Sequence, residues 1–344
     1  MIRVGVVGLG AMGQHHARLY SKLGCELVGV ADVDLNRAKD IAEKYQTEYY
    51  TDYRALLSRV DAVSIAVPTT MHHRVATEFL EHGVHCLVEK PIAFRLEEAE
   101  EMISIVEQNN LSLAVGHIER FNPAVVRLKE IVDSGDLGAL LIISTRRVGP
   151  SVPRIRDVGV VVDSATHDIG VVRYLLGQDP VSIFSRVGSL QHVREDHAII
   201  VLGFGAATAS IEVNWFTPHK VRTLVATGSK GIAYLDYVSQ DLRISNSQAE
   251  RQEDVKKQEP LKLELEDFLS SISEGRKPAV DGVEGRAILS IALQSCHGDS
   301  CSSIVVQHAE RGSIRERERV FQYHLTLSDR EETETKVLAR KARG

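Results

Sequence analysis

IRVGVVGLGAMG, from Ile2 to Gly13, sets a run of β-formers (Val4, Val6, Val7) directly against Gly8, Gly10 and Gly13. The residues that follow to Leu23, QHHARLYSKL, contain no breaker and predict a helix. Strand, glycine turn and helix in this order make the unit that holds a dinucleotide pyrophosphate. Gly8 permits the tight turn, Gly10 lets the backbone approach the phosphates, and Gly13 allows helix to pack on strand. Ala11 and Met12 complete the turn at the helix start, where free N–H groups donate to phosphate oxygens.

A glycine-rich turn alone is a weak signal, so its surroundings carry the argument. From Glu26 the chain reads ELVGVADVD, a second strand ending at Asp32. An acid about twenty residues beyond the glycines is placed to accept from the adenosine ribose hydroxyls. The alternative is a plain strand-turn-helix with a solvated Asp32. An acid there also repels a ribose 2′-phosphate, which favours NAD over NADP, although Arg37 nearby softens the preference.

The chain has 344 residues, enough for two domains and a large core. Its formal net charge of −6 argues against nucleic acid or an anionic membrane as the main partner. The four cysteines form no CxxC pair, which points to a reducing compartment. There is no signal-peptide pattern at the start and no apolar run long enough to span a bilayer, so a soluble cytoplasmic protein is expected.

Single helices separate the strands up to LSLAVG, Leu111 to Gly116, which specifies a doubly wound parallel sheet of the Rossmann type. Cofactor sites then lie at the carboxyl ends of the strands, where Pro68 to His72 and Glu89 to Pro91 also fall. After Phe121 the pattern changes. Asn122 reads as the cap of a helix to Ser134, and from Leu140 a series of alternating runs predicts a large, mainly antiparallel open sheet. A helix from Ser164 to Leu176 interrupts it, residues 248–258 read as a loop, and helices are expected over 261–273 and 283–294.

The expected domains are residues 1–121, binding NAD; residues 122–294, an α/β domain for substrate and oligomerisation; and residues 295–344, a charged extension. The covered face of the open sheet is expected to meet the first domain, with chemistry in the cleft between them. A chain ending near Gln294 is expected to keep its cofactor affinity.

Lys90 sits between Glu89 and Pro91 at the end of a strand whose neighbours hold the cofactor. An ammonium there polarises a substrate hydroxyl, or acts as a base if its pKa is depressed. A surface lysine after an edge turn is the plainer reading. Asp163 and His167 are four apart at the start of a helix, on one face, where a carboxylate orients an imidazole that takes the hydroxyl proton. Against this stand a helix cap for Asp163 and a structural histidine for His167. RRVGPSVPRIR supplies Arg146, Arg147, Arg154 and Arg156, either a grip for a diphosphate or a solvated basic strand and loop. The histidines show no metal-ligand spacing, so no metal is expected.

Gly8 to Gly13, Pro68-Thr69-Thr70-Met71-His72, Glu89-Lys90-Pro91, and Asp163 with His167 occur in the order and spacing of one family. The chain resembles the glucose-fructose oxidoreductase, inositol dehydrogenase and rhizopine-catabolism (Gfo/Idh/MocA) family over about Met1 to Gln294. Within it, GHIERFNPAV (Gly116 to Val125) and RRVGPSVPRIRDVGVVVD (Arg146 to Asp163) are most similar to the branch that oxidises the 3-hydroxyl of UDP-N-acetylglucosamine.

The resemblance implies a catalytic set of Lys90, Asp163 and His167. It implies NAD contacts from the glycine turn, Asp32, Arg37, Pro68, Thr69, His72, Glu89 and Lys90. Arg120, Asn122, Arg146, Arg154 and Arg156 become expected substrate contacts, and the open sheet becomes the interface of a homodimer or homotetramer. Two departures stand out: Ala165 replaces a glycine and Gly170 an acid found in many relatives, and the residues after Ser295 do not resemble the family's usual ending. The implied activity is NAD-dependent oxidation of a UDP-sugar hydroxyl. Alternatives are a free-sugar or inositol dehydrogenase and a non-catalytic NAD or sugar-nucleotide sensor.

Overall fold

Short runs of Val, Ile and Ala alternating with amphipathic helices build the first sheet, as the pattern requires. The computed structural model describes residues 1–150, 158–296 and 302–303. Strands β1 (Arg3–Val7), β2 (Glu26–Ala31), β3 (Glu48–Tyr50), β4 (Ala62–Ile65), β5 (His85–Glu89) and β6 (Leu113–Gly116) lie in the order β3-β2-β1-β4-β5-β6. All of these pairs are parallel. Helices α1 (Ala11–Tyr20), α2 (Leu35–Tyr45), α3 (Thr69–Glu81) and α4 (Leu96–Asn109) make the crossovers. The order reverses between β1 and β4, which opens a crevice at their carboxyl ends. The edge strand β3 has too few residues for sequence periodicity to reveal it. Tyr53–Leu56 forms a 3-10 turn in place of a longer helix.

The second sheet contains β7 (Leu140–Pro150), β8 (Ser182–Gly188), β9 (His197–Phe204), β10 (Ala207–Asn214), β11 (Phe216–Gly228), β12 (Ile232–Asp236), β13 (Asp241–Ser245), β14 (Glu250–Gln252) and β15 (Ser302–Ser303). Their order is β14-β13-β12-β11-β7-β10-β9-β8-β15. The β7–β10 pair is parallel and the remaining pairs are antiparallel. Strand β14 falls inside the expected 248–258 loop.

One face of this sheet packs on α5 (Pro123–Asp133) and α6 (Thr166–Leu176), burying Leu128, Ile169, Val172, Ile200, Ile211 and Leu224 in a common core. The covered face therefore meets its own helices rather than the first sheet directly. On the other face Ile142, Phe184 and Ile199 remain 50%, 48% and 52% exposed.

Two helices depart from the expected division of the chain. In α7 (Pro260–Glu274), Leu261, Leu265 and Phe268 share a core with Val4, Val6, Leu9 and Tyr20, so this late helix covers the first sheet. In α8 (Gly282–Ser295), Leu289 joins the first sheet's core while Ile288, Ile291 and Ala292 join the second. A parallel sheet needs both faces covered, and α7 supplies the cover that its own crossovers leave incomplete. Most of the predicted 295–344 extension lies outside the described residues. Among those described, no helix is long and apolar enough to cross a membrane.

Candidate active site

The glycine turn has the geometry its residue types demand. Gly8 has φ +85°, and a Cβ there would meet the Ala66 carbonyl oxygen at 2.6 Å. A Cβ on Gly13 would come within 1.8 Å of the Gly8 carbonyl oxygen, so helix and turn can pack this closely only without a side chain. At Gly10, which caps α1, a Cβ would meet nothing within 4 Å. Gly10 therefore borders open space above a helix start, the cradle a pyrophosphate requires. Asp32 is buried and accepts from Leu9 N at 2.7 Å and Asp34 N at 2.9 Å. Arg37 Nη1 reaches both of its oxygens, at 3.2 and 3.3 Å. These residues fit the pyrophosphate and the adenosine ribose of NAD.

The turn opens into a cavity of about 1220 Å³. Gly8, Gly10, Ala11, Met12, Asp32, Arg37, Pro68, Thr69, His72, Glu89, Lys90, Asp163 and His167 all line it, and Gly13 lies beneath. The ring nitrogens of His72 face the carbonyl oxygens of Pro91 at 2.8 Å and Val67 at 3.0 Å, clamping the end of β5 to the start of α3. Glu89 is bonded to His16 Nε2 at 2.9 Å. Burial opposes ionisation of Glu89, but the bond from His16 and the charge of Lys90 outweigh it and hold the carboxyl below its usual range.

Lys90 Nζ donates to the Asp163 carbonyl oxygen at 2.5 Å and to Oδ1 at 2.9 Å. Asp163 lies in a π-helical turn, Val161–Ala165, that precedes α6. The regular helix starts at Thr166, two residues later than the sequence pattern suggests, and Asp163 is not its cap. Asp163 is bonded to Lys90 and Ser164, and among the described residues His167 Nδ1 has no hydrogen-bond partner. The wider π turn directs the Asp163 side chain toward the end of β5.

Burial first, then the charges of Lys90 and Arg147, hold the His167 pKa well below the ordinary histidine value. His167 is therefore neutral near pH 7 and able to accept a proton. His117 is buried with both ring nitrogens unpartnered, and burial reinforced by Lys90 pushes its pKa down to about 3.

Arg146 and Arg147 occupy successive positions on β7, so their side chains point to opposite faces. Arg147 points inward and is 5% exposed. It pairs with Asp168 at 2.8 Å and Glu119 at 3.0 Å, and lies 4.9 Å from the centre of the Tyr237 ring. Burial works against its charge, but the two carboxylates more than compensate. Arg146 points to the uncovered face of the sheet, where it bonds Glu212 at 3.0 Å.

The structure does not bring Arg120, Asn122 or Arg146 to the cavity wall. Arg120 stacks 3.4 Å from the centre of the Tyr174 ring. Asn122 caps α5 through Ala124 N and donates to the Tyr237 carbonyl. Arg120 thus ties the segment before α5 to α6, and Asn122 ties α5 to the residue that follows β12. Arg154 and Arg156 lie outside the described residues.

Several cavity-side residues escape the sequence reading: His16, the Arg147 network of Glu119 and Asp168, and Lys220 and Arg222 on β11. The spacing Lys-x-Arg within a strand was the available signal for the last two, because residues two apart share a face. Among the described residues no three His, Cys, Asp or Glu side chains converge as metal ligands.

Residues 2–117 match a family model described as oxidoreductase family, NAD-binding Rossmann fold, and residues 125–234 match the GFO/IDH/MocA C-terminal domain. The chain is 32% identical over 304 residues to UDP-N-acetylglucosamine 3-dehydrogenase of Acidithiobacillus ferrooxidans, covering 85% of this chain and 96% of that one. A solved structure of that enzyme superposes with a TM-score of 0.80. It is 27% identical to scyllo-inositol 2-dehydrogenase (NAD(+)) of Bacillus subtilis, covering 85% of this chain and 92% of the other.

Proposed function

Because the chain belongs to the Gfo/Idh/MocA oxidoreductase family, NAD-dependent dehydrogenases acting on CH–OH groups of sugars and sugar nucleotides, we propose that its substrate is UDP-N-acetylglucosamine or a close UDP-sugar, oxidised at the 3-hydroxyl. The observation that carries the site assignment is the Lys90–Asp163 pair beside a neutral His167, lining the same cavity as the glycine turn. The substrate assignment is supported by a relative that this chain matches over 96% of that protein's length and with the same fold.

NAD, when bound, supplies the hydride acceptor. Gly10 and the start of α1 hold its pyrophosphate, Asp32 its adenosine ribose, and the Pro68–Thr69 turn and Glu89 the wall toward the reacting end. Asp163 holds the Lys90 ammonium at two points, so that the remaining N–H is available to a substrate hydroxyl. A hydroxyl bonded to an ammonium is more acidic than a free one. His167, kept neutral by burial and by its cationic neighbours, takes the proton as the C–H bond breaks. Its Nε2 receives the proton, since Nδ1 is buried and unpartnered. Glu89, locked by His16, fixes the backbone that carries Lys90. Arg154 and Arg156 complete the proposed substrate contacts.

Two further proposals concern the architecture. Residues 1–121, with α7 packed on their sheet, act as the cofactor domain and the rest of 122–294 as the substrate domain, and the uncovered sheet face bearing Ile142, Phe184 and Ile199 forms a homo-oligomer interface. Apolar side chains left half-exposed in this way mark association surfaces.

A second reading, oxidation of inositol or a free sugar, is supported by the scyllo-inositol relative. NADH absorbance on incubation with UDP-N-acetylglucosamine, with free sugars and inositol as comparators, separates the two. Turnover with the nucleotide sugar alone supports the first reading. Tight NAD binding with no turnover of any substrate supports a sensor instead.

A further inference from the structure

Among the described residues, five lysine and arginine side chains line the cavity: Arg37, Lys90, Arg147, Lys220 and Arg222. Arg37 is paired with Asp32, Lys90 with Asp163, and Arg147 with Asp168 and Glu119. The side chains of Lys220 and Arg222 have no ion pair or hydrogen bond among the described residues. In a chain of net charge −6, two cations without a bonded carboxylate on one cavity wall call for an explanation.

Their placement follows from the register. Arg222 on β11 stands opposite Arg147 on β7, so the two guanidiniums occupy one face side by side. Lys220 lies in the irregular stretch of β11 between Phe216 and Val221 and lines the same cavity. Its stem runs over Gly149, where a Cβ would come within 3.3 Å of Lys220 Cγ, so the glycine clears its path. Like charges directly opposite each other are destabilising. The carboxylates of Asp168 and Glu119 bond Arg147, whereas Arg222, disfavoured by burial and by Arg147, is only partly offset by the more distant charges of Glu119, Asp168 and Asp163, and no carboxylate among the described residues bonds it. Arg222 lines the same cavity as Lys90 and Asp163, and from it the pair leads outward to exposed Lys220.

We propose that Lys220 and Arg222 bind the diphosphate of a nucleotide-sugar substrate and so discriminate it from free sugars and cyclitols. The inference rests on the reading above that the substrate is a UDP-sugar, and it moves the diphosphate grip from Arg146 to β11. A guanidinium presents paired N–H donors that match two phosphate oxygens, and an ammonium adds a point charge. The cofactor's own pyrophosphate has a separate cradle at Gly10, on the first sheet.

UDP binding to the full chain in the presence of NAD, measured by calorimetry, tests this with Lys220→Gln, Arg222→Gln and Arg222→Lys. Both glutamine variants are expected to weaken UDP binding by about tenfold or more. They should raise KM for UDP-N-acetylglucosamine by a similar factor, with kcat less affected and NAD affinity unchanged, and Arg222→Lys should recover part of the loss. If Arg222→Gln does not fold, exposed Lys220→Gln carries the test. Unchanged UDP affinity in the folded variants overturns the proposal, and so does a loss of NAD affinity in place of UDP affinity, which would assign the pair to the cofactor. UDP binding that depends on the pair, without turnover of UDP-N-acetylglucosamine, retains the diphosphate site and rejects the substrate reading. Turnover with unchanged KM in both variants does the reverse.

Discussion

Lys90 Nζ is held by Asp163 at two atoms, the carbonyl oxygen at 2.5 Å and the carboxylate Oδ1 at 2.9 Å. The contact joins the end of β5, on the first sheet, to the π-helical turn that leads into α6. A single hydrogen bond leaves an ammonium free to rotate about its partner, and two fix its direction. Asp163→Ala removes the carboxylate while leaving the carbonyl. The expected result is a fall in kcat on the order of 10²-fold, with NADH affinity by fluorescence titration close to wild type. A variant with wild-type kcat would show that the ammonium needs no such anchor.

His167→Ala is expected to lose turnover by about 10²- to 10⁴-fold while retaining NAD affinity. In the wild type, activity is lost on the acid side as the imidazole becomes protonated. Because burial, Lys90 and Arg147 lower its pKa, that limb of the kcat/KM profile should lie below the ordinary histidine value of 6.5. Unchanged turnover in the variant, or an acid limb at or above that value, removes His167 from the role of base.

His117 is buried neutral, with its pKa lowered to about 3 from 6.5. Between these values the unfolded chain binds a proton that the folded chain does not. The contribution is therefore fully present above pH 6.5 and is lost as pH falls toward 3, at about 1.4 kcal/mol per pH unit. Replacing His117 by Phe or Gln should flatten the dependence of unfolding free energy on pH between about 6 and 4. Denaturant titrations across that window check it, and an unaltered slope would contradict the assignment.

Gly10 and Gly13 should respond differently to the same substitution. Gly10→Ala adds a Cβ that meets nothing in the protein, so thermal stability should stay near wild type while NAD binding weakens by about tenfold or more. Gly13→Ala drives a Cβ against the Gly8 carbonyl, so the protein itself should be destabilised by about 1–3 kcal/mol. Thermal melts with and without NAD separate the cases. Equal NAD affinity in wild type and Gly10→Ala would show that the turn does not hold the pyrophosphate.

Neighbouring arginines on β7 make a matched pair of tests. Arg147→Met leaves Asp168 and Glu119 buried without their cation, at an expected cost of about 3–5 kcal/mol. Arg146→Ala breaks an exposed pair with Glu212 and should change stability by less than about 1 kcal/mol. Urea unfolding of both variants reads the difference directly, and similar losses in both would contradict the assigned faces.

Much of the first sheet could be read without coordinates, because its signals are local. A glycine that needs φ +85° and an acid at the end of the next strand are decided within a few residues. The catalytic candidates were legible as residue types, since Lys90 ends a strand beside the cofactor and His167 follows Asp163 by four. Their wiring was not legible. Lys90 and Asp163 meet through the folding of two separate sheets, and the π turn that aims Asp163 leaves no mark in helix periodicity. His16 looked like one more residue of α1 until β5 placed Glu89 beside it.

The arginines mark the boundary most clearly. The sequence by itself determined that a basic strand would form, as a diphosphate grip or as a solvated face, because composition and alternation are properties of the strand alone. Which of Arg146 and Arg147 faces the cavity depends on the register of β7 between β10 and β11, and a shift of one residue would exchange them. The same long-range pairing places Arg222 against Arg147, and the packing of α5 and α6 brings Glu119 and Asp168 to neutralise one of those two cations. Tertiary structure alone decided which charge was satisfied and which was left for a ligand, because a partner distant in sequence can be supplied only by the fold.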